Sequence, residues 1–504
     1  MARPQVPVRR GRTPIHTAFR LMIPATLVFL TGVPGSAQEV DFREARSLIE
    51  QVIREQGIAS VAVSVARRGE FLWEEGFGWA DREGQVRATA HTPYSLASIS
   101  KPITATAILI LSERGELELD APANRYLPPA GQIRSYEGDA DAVTVRRLLS
   151  HTGGLPLHYQ FFYRGEDEGP PPIDTSIHRY GVAVHRPGER YIYSNIGYGV
   201  LNHIVEMVSG RSFGDFTQTE IFTPLGMHRS SLDLRSGLEP YAAARYGTRQ
   251  QRLPFYDFDH PGASAFWASA HDLVRFGLFH GGWPLDDQAS ILADPGRLAM
   301  QRLETPPGAP RGYGLGWIVT ADHGGFRQFA HSGGMPGVST QLQIYPDREV
   351  VIAVVTNGTP GRAGVIGDAI ARALLPGFAP ASPAVSDTEF SPTAELVGIW
   401  EGEIETWDRR LPVTMEVHEA GDVHIRLNGG LTTLVNSPRL QDGVFQGEFL
   451  GTIPSPDMVI RPHTVLLELT VEAGRLRGSA TARSTTDPIH FALSSRVELR
   501  RTEE

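Results

Sequence analysis

Ser98 and Lys101, in the run SLASISKPITAT (residues 95–106), are the pair whose types and spacing suggest chemistry. Lys101 is the one lysine among the chain's 47 lysines and arginines. A serine hydroxyl is a weak nucleophile until a base takes its proton. A lysine amine becomes such a base when burial or nearby positive charge lowers its pKa from about 10.4. Arginine cannot substitute, because its guanidinium stays charged to above about pH 12. A chain that favours arginine can dispense with a surface lysine but not with one that moves a proton. The pair therefore reads as a nucleophile with its general base or proton relay. The plainer reading is a helix-surface lysine that happened to survive.

For that chemistry the two side chains must lie on one face. The apolar spacing Ile103, Ala107, Leu109, Ile110 predicts a helix from Ser98 to about Ser112, which sets residues three apart side by side. Ser98 then sits in the first turn, where backbone N–H groups and the helix dipole favour developing negative charge. Around it, a helix is expected at about 41–56. The alternating segments ASVAVSVARRG and EFLWEEGFGWAD read as a β-hairpin. Further helices are expected at 195–209, 266–279 and about 362–375, and strands in FAHSGG, STQLQIYP and EVVIAVVTN between 328 and 357. Strands at both ends with helices between them predict an α+β fold. Its antiparallel sheet draws on both ends of this region and is flanked by helices and an all-helical subdomain.

Two later stretches add to the pair: Tyr193-Ser194-Asn195 in RYIYSNIGYG, and His331-Ser332-Gly333-Gly334 in FAHSGGMPG. Taken alone, Ser194 or Asn195 would make an adequate helix N-cap, and His331 a satisfied strand histidine. Taken in order, the three stretches resemble the serine β-lactamase and penicillin-binding protein superfamily, whose signature is S-x-x-K, S-D-N and K-T-G. Tyr-Ser-Asn in place of Ser-Asp-Asn and His-Ser-Gly in place of Lys-Thr-Gly look like the class C β-lactamase branch. LLSHTGGLP (148–156), IFTPLGM (221–227) and GYGLGW (312–317) extend the resemblance over about 42–376.

The resemblance implies a serine β-lactamase/DD-peptidase-like fold. It makes Ser98 the acylated nucleophile, Lys101 its proton acceptor, and Tyr193 a second proton carrier. Asn195, His331, Ser332, Gly333 and Gly334 become substrate-binding positions, with the oxyanion on the backbone N–H groups of Ser98 and Gly334. The implied activity is carboxypeptidase, aminopeptidase, esterase or β-lactamase, on a small peptide, ester or β-lactam, with no cofactor. A histidine at 331 is largely neutral at pH 7, which loosens the case for anionic substrates and leaves room for neutral esters and amides. The alternative is a non-turnover penicillin-binding or peptidoglycan-sensing module in contact with the cell wall. A rival motif, Gly210-Arg211-Ser212-Phe213-Gly214, matches the G-x-S-x-G elbow, but it follows a predicted helix where the elbow needs a strand.

Composition bounds the rest. The 504 residues are 41% hydrophobic and 21% charged, with net charge −10 and no basic run, which argues against a nucleic-acid binder. No cysteine means no disulfide, thiolate nucleophile or Cys-ligated metal, and there is no H-E-x-x-H or Walker-type loop. Arg3, Arg9, Arg10, Arg12 and Arg20 precede the apolar run LMIPATLVFL (21–30) and the small-residue stretch ending at Ala37. Residues 1–37 therefore read as a signal peptide, by the Sec or twin-arginine route, to a periplasmic or secreted location. Membrane association is expected only if that leader stays uncleaved. The hydrolase-like domain is expected over 38–376 and a Pro/Ala/Ser-rich linker over 377–393. An all-β, barrel-like domain is expected over 394–504. There Gly398-Ile399-Trp400 fits both the G-x-W of lipocalin-like barrels and a plain core tryptophan.

Overall fold

The computed structural model describes residues 40–502 except 137, 167–168, 235–236, 309–311 and 382–389. The expected leader (1–37) and the middle of the expected linker lie outside the described residues. Among the described residues no helix is long and apolar enough to cross a membrane.

A seven-stranded antiparallel sheet forms the first layer. Its strands are β1 (Ser60–Arg67), β2 (Glu70–Asp81), β3 (Val86–Arg87), β4 (Ile318–His323), β5 (Phe326–Met335), β6 (Val338–Tyr345) and β7 (Val350–Thr356), in the order β4-β5-β6-β7-β1-β2-β3. The join between early and late chain is β1 against β7, from Val61 opposite Thr356 to Arg67 opposite Val350. Helices cover both faces, so β1 is buried along nearly its whole length. Its alternation divides the core. Val61, Val63 and Val65 pack with Ile49, Val52, Ile366 and Ile370 of α1 (Arg43–Gln56) and of the helix Ala363–Leu374. Ala62 and Ala66 face a larger core with Ile103, Leu273 and Val274.

That second core belongs to three helices: α2 (Ser100–Glu113), α3 (Asn195–Ser209) and α4 (Ala270–Gly281). α2 is buried from Ser100 to Leu111, so Lys101 lies inside the protein rather than on a helix surface. Two boundaries differ from the sequence reading. Ser98 sits in a 3-10 turn, Ala97–Ile99, that leads into α2. α4 begins at Ala270, because the Ser269 hydroxyl caps the Asp272 N–H at 3.1 Å while Trp267–Ala268 pairs as a short strand with Tyr94–Ser95.

Beyond residue 398 nine antiparallel strands form a barrel-like sheet, from Gly398–Glu405 to Phe491–Arg501. Alternate residues point inward along several of these strands, as in Arg410–Val417 and His463–Glu472. Trp400 is fully buried among them, its indole N–H donating to the Leu396 carbonyl at 2.8 Å. The last strand does not end the sheet. Phe491 and Ala492 pair with Gln160 and Tyr159 of the strand Tyr159–Tyr163, which in turn pairs with Tyr256–Phe258. The barrel is thus hydrogen-bonded to the segments that flank α3.

Candidate active site

Three elements bring their polar groups to one point. The first is the turn before α2. Ala97 has φ +50°, the left-handed region that costs a non-glycine residue roughly 1–2 kcal/mol. The kink leaves Ser98 part-exposed while Leu96, Ala97, Ile99 and Ser100 are buried. One turn on, Lys101 is fully buried, its Nζ 3.4 Å from Ser98 Oγ.

The second element is the start of α3. Ser194 caps this helix through the Gly197 N–H, which frees Asn195 to point inward. Its side-chain oxygen accepts from Lys101 Nζ at 2.7 Å, and its amide nitrogen donates to the His158 carbonyl at 2.7 Å. Tyr193 precedes the cap, its ring centre 4.6 Å from Lys101 Nζ. The third element is the short helix Pro261–Ser264, where the Ala263 carbonyl accepts from Nζ at 3.2 Å. Thr104 of α2 and Asn202 of α3 bond to the carbonyl and N–H of Gly262, holding that helix in place.

Nζ is therefore bounded by two carbonyl-type acceptors and one hydroxyl, and among the described residues it forms no ion pair with a carboxylate. Burial pushes the amine's pKa well below its usual 10.5. A neutral amine has two N–H donors and one lone pair. Asn195 and Ala263 take the donors, and the lone pair is left for the Ser98 hydroxyl. The arrangement can accept a proton from Ser98.

Tyr193 is backed by His151, whose ring centre lies 4.4 Å from that of the tyrosine and whose Nδ1 accepts from the Ser194 N–H at 3.1 Å. Tyr313 continues the array, its hydroxyl 2.9 Å from His331 Nε2. His331 thus faces inward and is buried, while Ser332 and Gly334 are exposed on the opposite face of β5. Gly334 lines a cavity of about 700 Å³ together with Ser98, Asn195 and Ser264. Of the expected binding positions, Asn195 and Gly334 line that cavity and His331, Ser332 and Gly333 do not. Gly333 instead packs against the turn of Ser98, its position 2.2 Å from the Leu96 carbonyl oxygen were a Cβ added. Ser212, the serine of the rival motif, caps the helix Phe213–Thr217 and donates to the Asp215 carboxylate at 2.7 Å; it is a helix cap.

Sequence reasoning missed a buried trio behind Asn195. The Asp259 carboxylate receives His158 Nε2 at 2.7 Å and His260 Nδ1 at 2.6 Å, with all three residues buried. DFDHPG carried the acid and one histidine in plain view, but nothing local announced His158 as their partner. Burial raises the Asp259 pKa, but the two imidazoles outweigh it and hold the carboxyl well below its ordinary range. Its folded pKa being depressed, the carboxylate contributes stability above about pH 4 that is lost as pH falls below it. Asp259→Asn is expected to cost about 2 kcal/mol in urea unfolding at pH 7, with the gap to wild type narrowing toward pH 3.

The model of the Beta-lactamase family matches residues 45–375. Penicillin-binding protein 4* of Bacillus subtilis (strain 168) is 29% identical over 319 residues, covering 58% of this chain and 67% of that protein. Penicillin-binding protein 4 of Amycolatopsis lactamdurans is 30% identical over 319 residues, covering 60% and 82%. Among solved structures, a class C beta lactamase from Rhodobacter sphaeroides aligns with TM-score 0.54 and 23% identity over 66% of this chain and 98% of its own. The octameric penicillin-binding protein homologue from Pyrococcus abyssi aligns with TM-score 0.59 and 22% identity over 91% of this chain and 100% of its own. That span is too large to leave out the barrel.

Proposed function

This chain belongs to the Beta-lactamase family, and we propose that it is an exported serine hydrolase that opens an amide or ester bond through an acyl-enzyme on Ser98. The observation that carries this reading is the buried Lys101 amine. Its donors are directed to Asn195 and Ala263, and it lies 3.4 Å from the Ser98 hydroxyl.

The reaction proceeds in two halves. Lys101 takes the Ser98 proton as Oγ attacks the substrate carbonyl. The oxyanion that forms is held by the backbone N–H groups of Ser98 and Gly334. The leaving amine or alcohol departs with a proton delivered through Lys101 and Tyr193, and a water molecule, deprotonated by the same pair, then hydrolyses the ester on Ser98. Asn195 holds the amine and faces the cavity where the substrate amide or ester lies. His331 is engaged by Tyr313 and turned inward, and it does not line the cavity. The basic leader at the N-terminus supports export to the periplasm or exterior.

A fluorophosphonate probe tests the reading. One equivalent is expected to attach to the peptide containing Ser98 and to stop p-nitrophenyl acetate hydrolysis in proportion to labelling. Label on another residue, or full turnover by the stoichiometrically labelled protein, would refute it.

A further inference from the structure

The buried trio behind Asn195 reaches both acceptors that hold the Lys101 amine. His158 governs the first. Its backbone carbonyl takes the Asn195 amide N–H at 2.7 Å, which turns the Asn195 side-chain oxygen toward Nζ, also at 2.7 Å. His260 governs the second. Its carbonyl takes the Ala263 N–H at 3.0 Å, and it opens the helix Pro261–Ser264, whose Ala263 carbonyl accepts from Nζ at 3.2 Å. The two histidines lie far apart in the chain. What joins their side chains is the Asp259 carboxylate, one oxygen to each ring.

Hydrogen-bond accounting leaves these three groups one arrangement. Nδ1 of His158 and Nε2 of His260 are buried and have no hydrogen-bond partner. A proton on either nitrogen would be a buried donor left unsatisfied. Each neutral ring therefore carries its proton on the nitrogen that faces Asp259. Burial, the largest influence on His260, holds its pKa below the ordinary value, in keeping with a neutral ring. An asparagine at 259 could not serve both rings. Its oxygen would accept from one, while its NH2 would meet the N–H of the other. That second ring would have to turn away or move its proton to the unpartnered nitrogen.

We propose that Asp259 is a positioning residue for the reaction at Ser98. Through His158 and His260 it sets the places of Asn195 and Ala263, and so the direction of the Lys101 lone pair. None of the trio lines the serine cavity; its members act on the amine without touching the substrate. The inference rests on the acyl-enzyme reading above.

The test uses the whole protein and the fluorophosphonate probe. The labelling endpoint counts competent sites, and the rate constant reports the reactivity of each site. Asp259→Asn is expected to lower the rate constant per labelled site by about 10- to 100-fold, the order of loss that a misplaced catalytic group brings. His158→Leu and His260→Leu are expected to fall with it. His158→Gln and His260→Asn each keep an N–H at the position of the lost one, and should retain most of the wild-type rate constant. If the leucine variants fail to fold, Asp259→Asn against His158→Gln decides alone. A lower endpoint with an unchanged rate constant would make the trio a folding element only, and would overturn the proposal. So would a wild-type rate constant in Asp259→Asn, or equal losses in the conservative and leucine variants. Wild type that fails to label at Ser98 would instead refute the acyl-enzyme reading, and this proposal with it.

Discussion

Lys101→Arg lowers the rate of Ser98 acylation by about 10³-fold or more, although it preserves formal charge. A positioned general base contributes roughly 10²–10⁴-fold, and the guanidinium cannot give up its proton to become one. Lys101 is also fully buried, so the larger, permanently charged group has a desolvation cost to meet that an uncharged replacement lacks. Lys101→Met avoids that difficulty. It fills similar volume without charge, leaves the Asn195 and Ala263 acceptors without their donor, and is expected to fold with the same circular dichroism while losing acylation equally. The measurement is the burst of p-nitrophenol from p-nitrophenyl acetate, followed by fluorophosphonate labelling rates for wild type and both variants. Labelling of either variant at the wild-type rate would remove Lys101 from proton transfer.

The pH profile gives the same claim a second reading. Burial depresses the folded pKa of Lys101, so the reactive neutral amine accumulates as pH rises, and acylation by wild type climbs with an apparent pKa below 10.5. Lys101→Met lacks that limb. The unfolded chain still binds this proton up to about pH 10.4, so the lysine's contribution to stability increases with pH across the interval between the two values. A wild-type profile with no rise through that interval would mean the amine is charged in the folded protein.

Ser98 and Lys101 were legible from residue type and spacing, while Tyr193 and Asn195 took their roles only from the resemblance carried by the three ordered stretches. The structure brings all four within one hydrogen-bonded or ring-contact group around Nζ. The hairpin β1–β2 was legible from period-two alternation, and the strands β5 to β7 from the return of a strand pattern in FAHSGG, STQLQIYP and EVVIAVVTN. What stayed hidden was of two kinds. The Ala263 carbonyl is a backbone group, so no side chain marks it. The Asp259–His158 pair joins residues far apart in the chain, and nothing local in either partner encodes the meeting. His331 shows a third limit: its position on β5 was readable, but which face of the strand it takes depends on the register with β6, where it lies opposite Leu342. The early start expected for α4 had a local cause, since an apolar run cannot show by itself that Trp267 and Ala268 will pair as a strand and leave Ser269 to cap the helix.

Gly333→Ala separates two opposing rules by its sign. Glycine within a strand is usually worse than alanine by roughly 0.5–1 kcal/mol, so backbone preference alone predicts a more stable protein. Packing predicts the reverse. A Cβ on Gly333 would lie 2.2 Å from the Leu96 carbonyl oxygen, 2.2 Å from Thr340 Oγ1 and 3.1 Å from Ala97 Cβ. Those neighbours cannot easily move, because Thr340 Oγ1 donates to that same Leu96 oxygen at 2.7 Å and Ala97 is already held at φ +50°. The methyl group must therefore push β5 away from the turn that presents Ser98. Displacing a nucleophile by about 1 Å costs on the order of 10²-fold, and kcat/KM for p-nitrophenyl acetate should fall by at least that much, with a lower unfolding midpoint in urea. Gly334→Ala is the control for the fold, since a Cβ there meets nothing within 4 Å, and its urea midpoint should equal or exceed that of wild type. If Gly333→Ala proved as stable and as active as wild type, the strand would not be what fixes the serine's turn, and the close approach of β5 to Leu96 would have no role in catalysis.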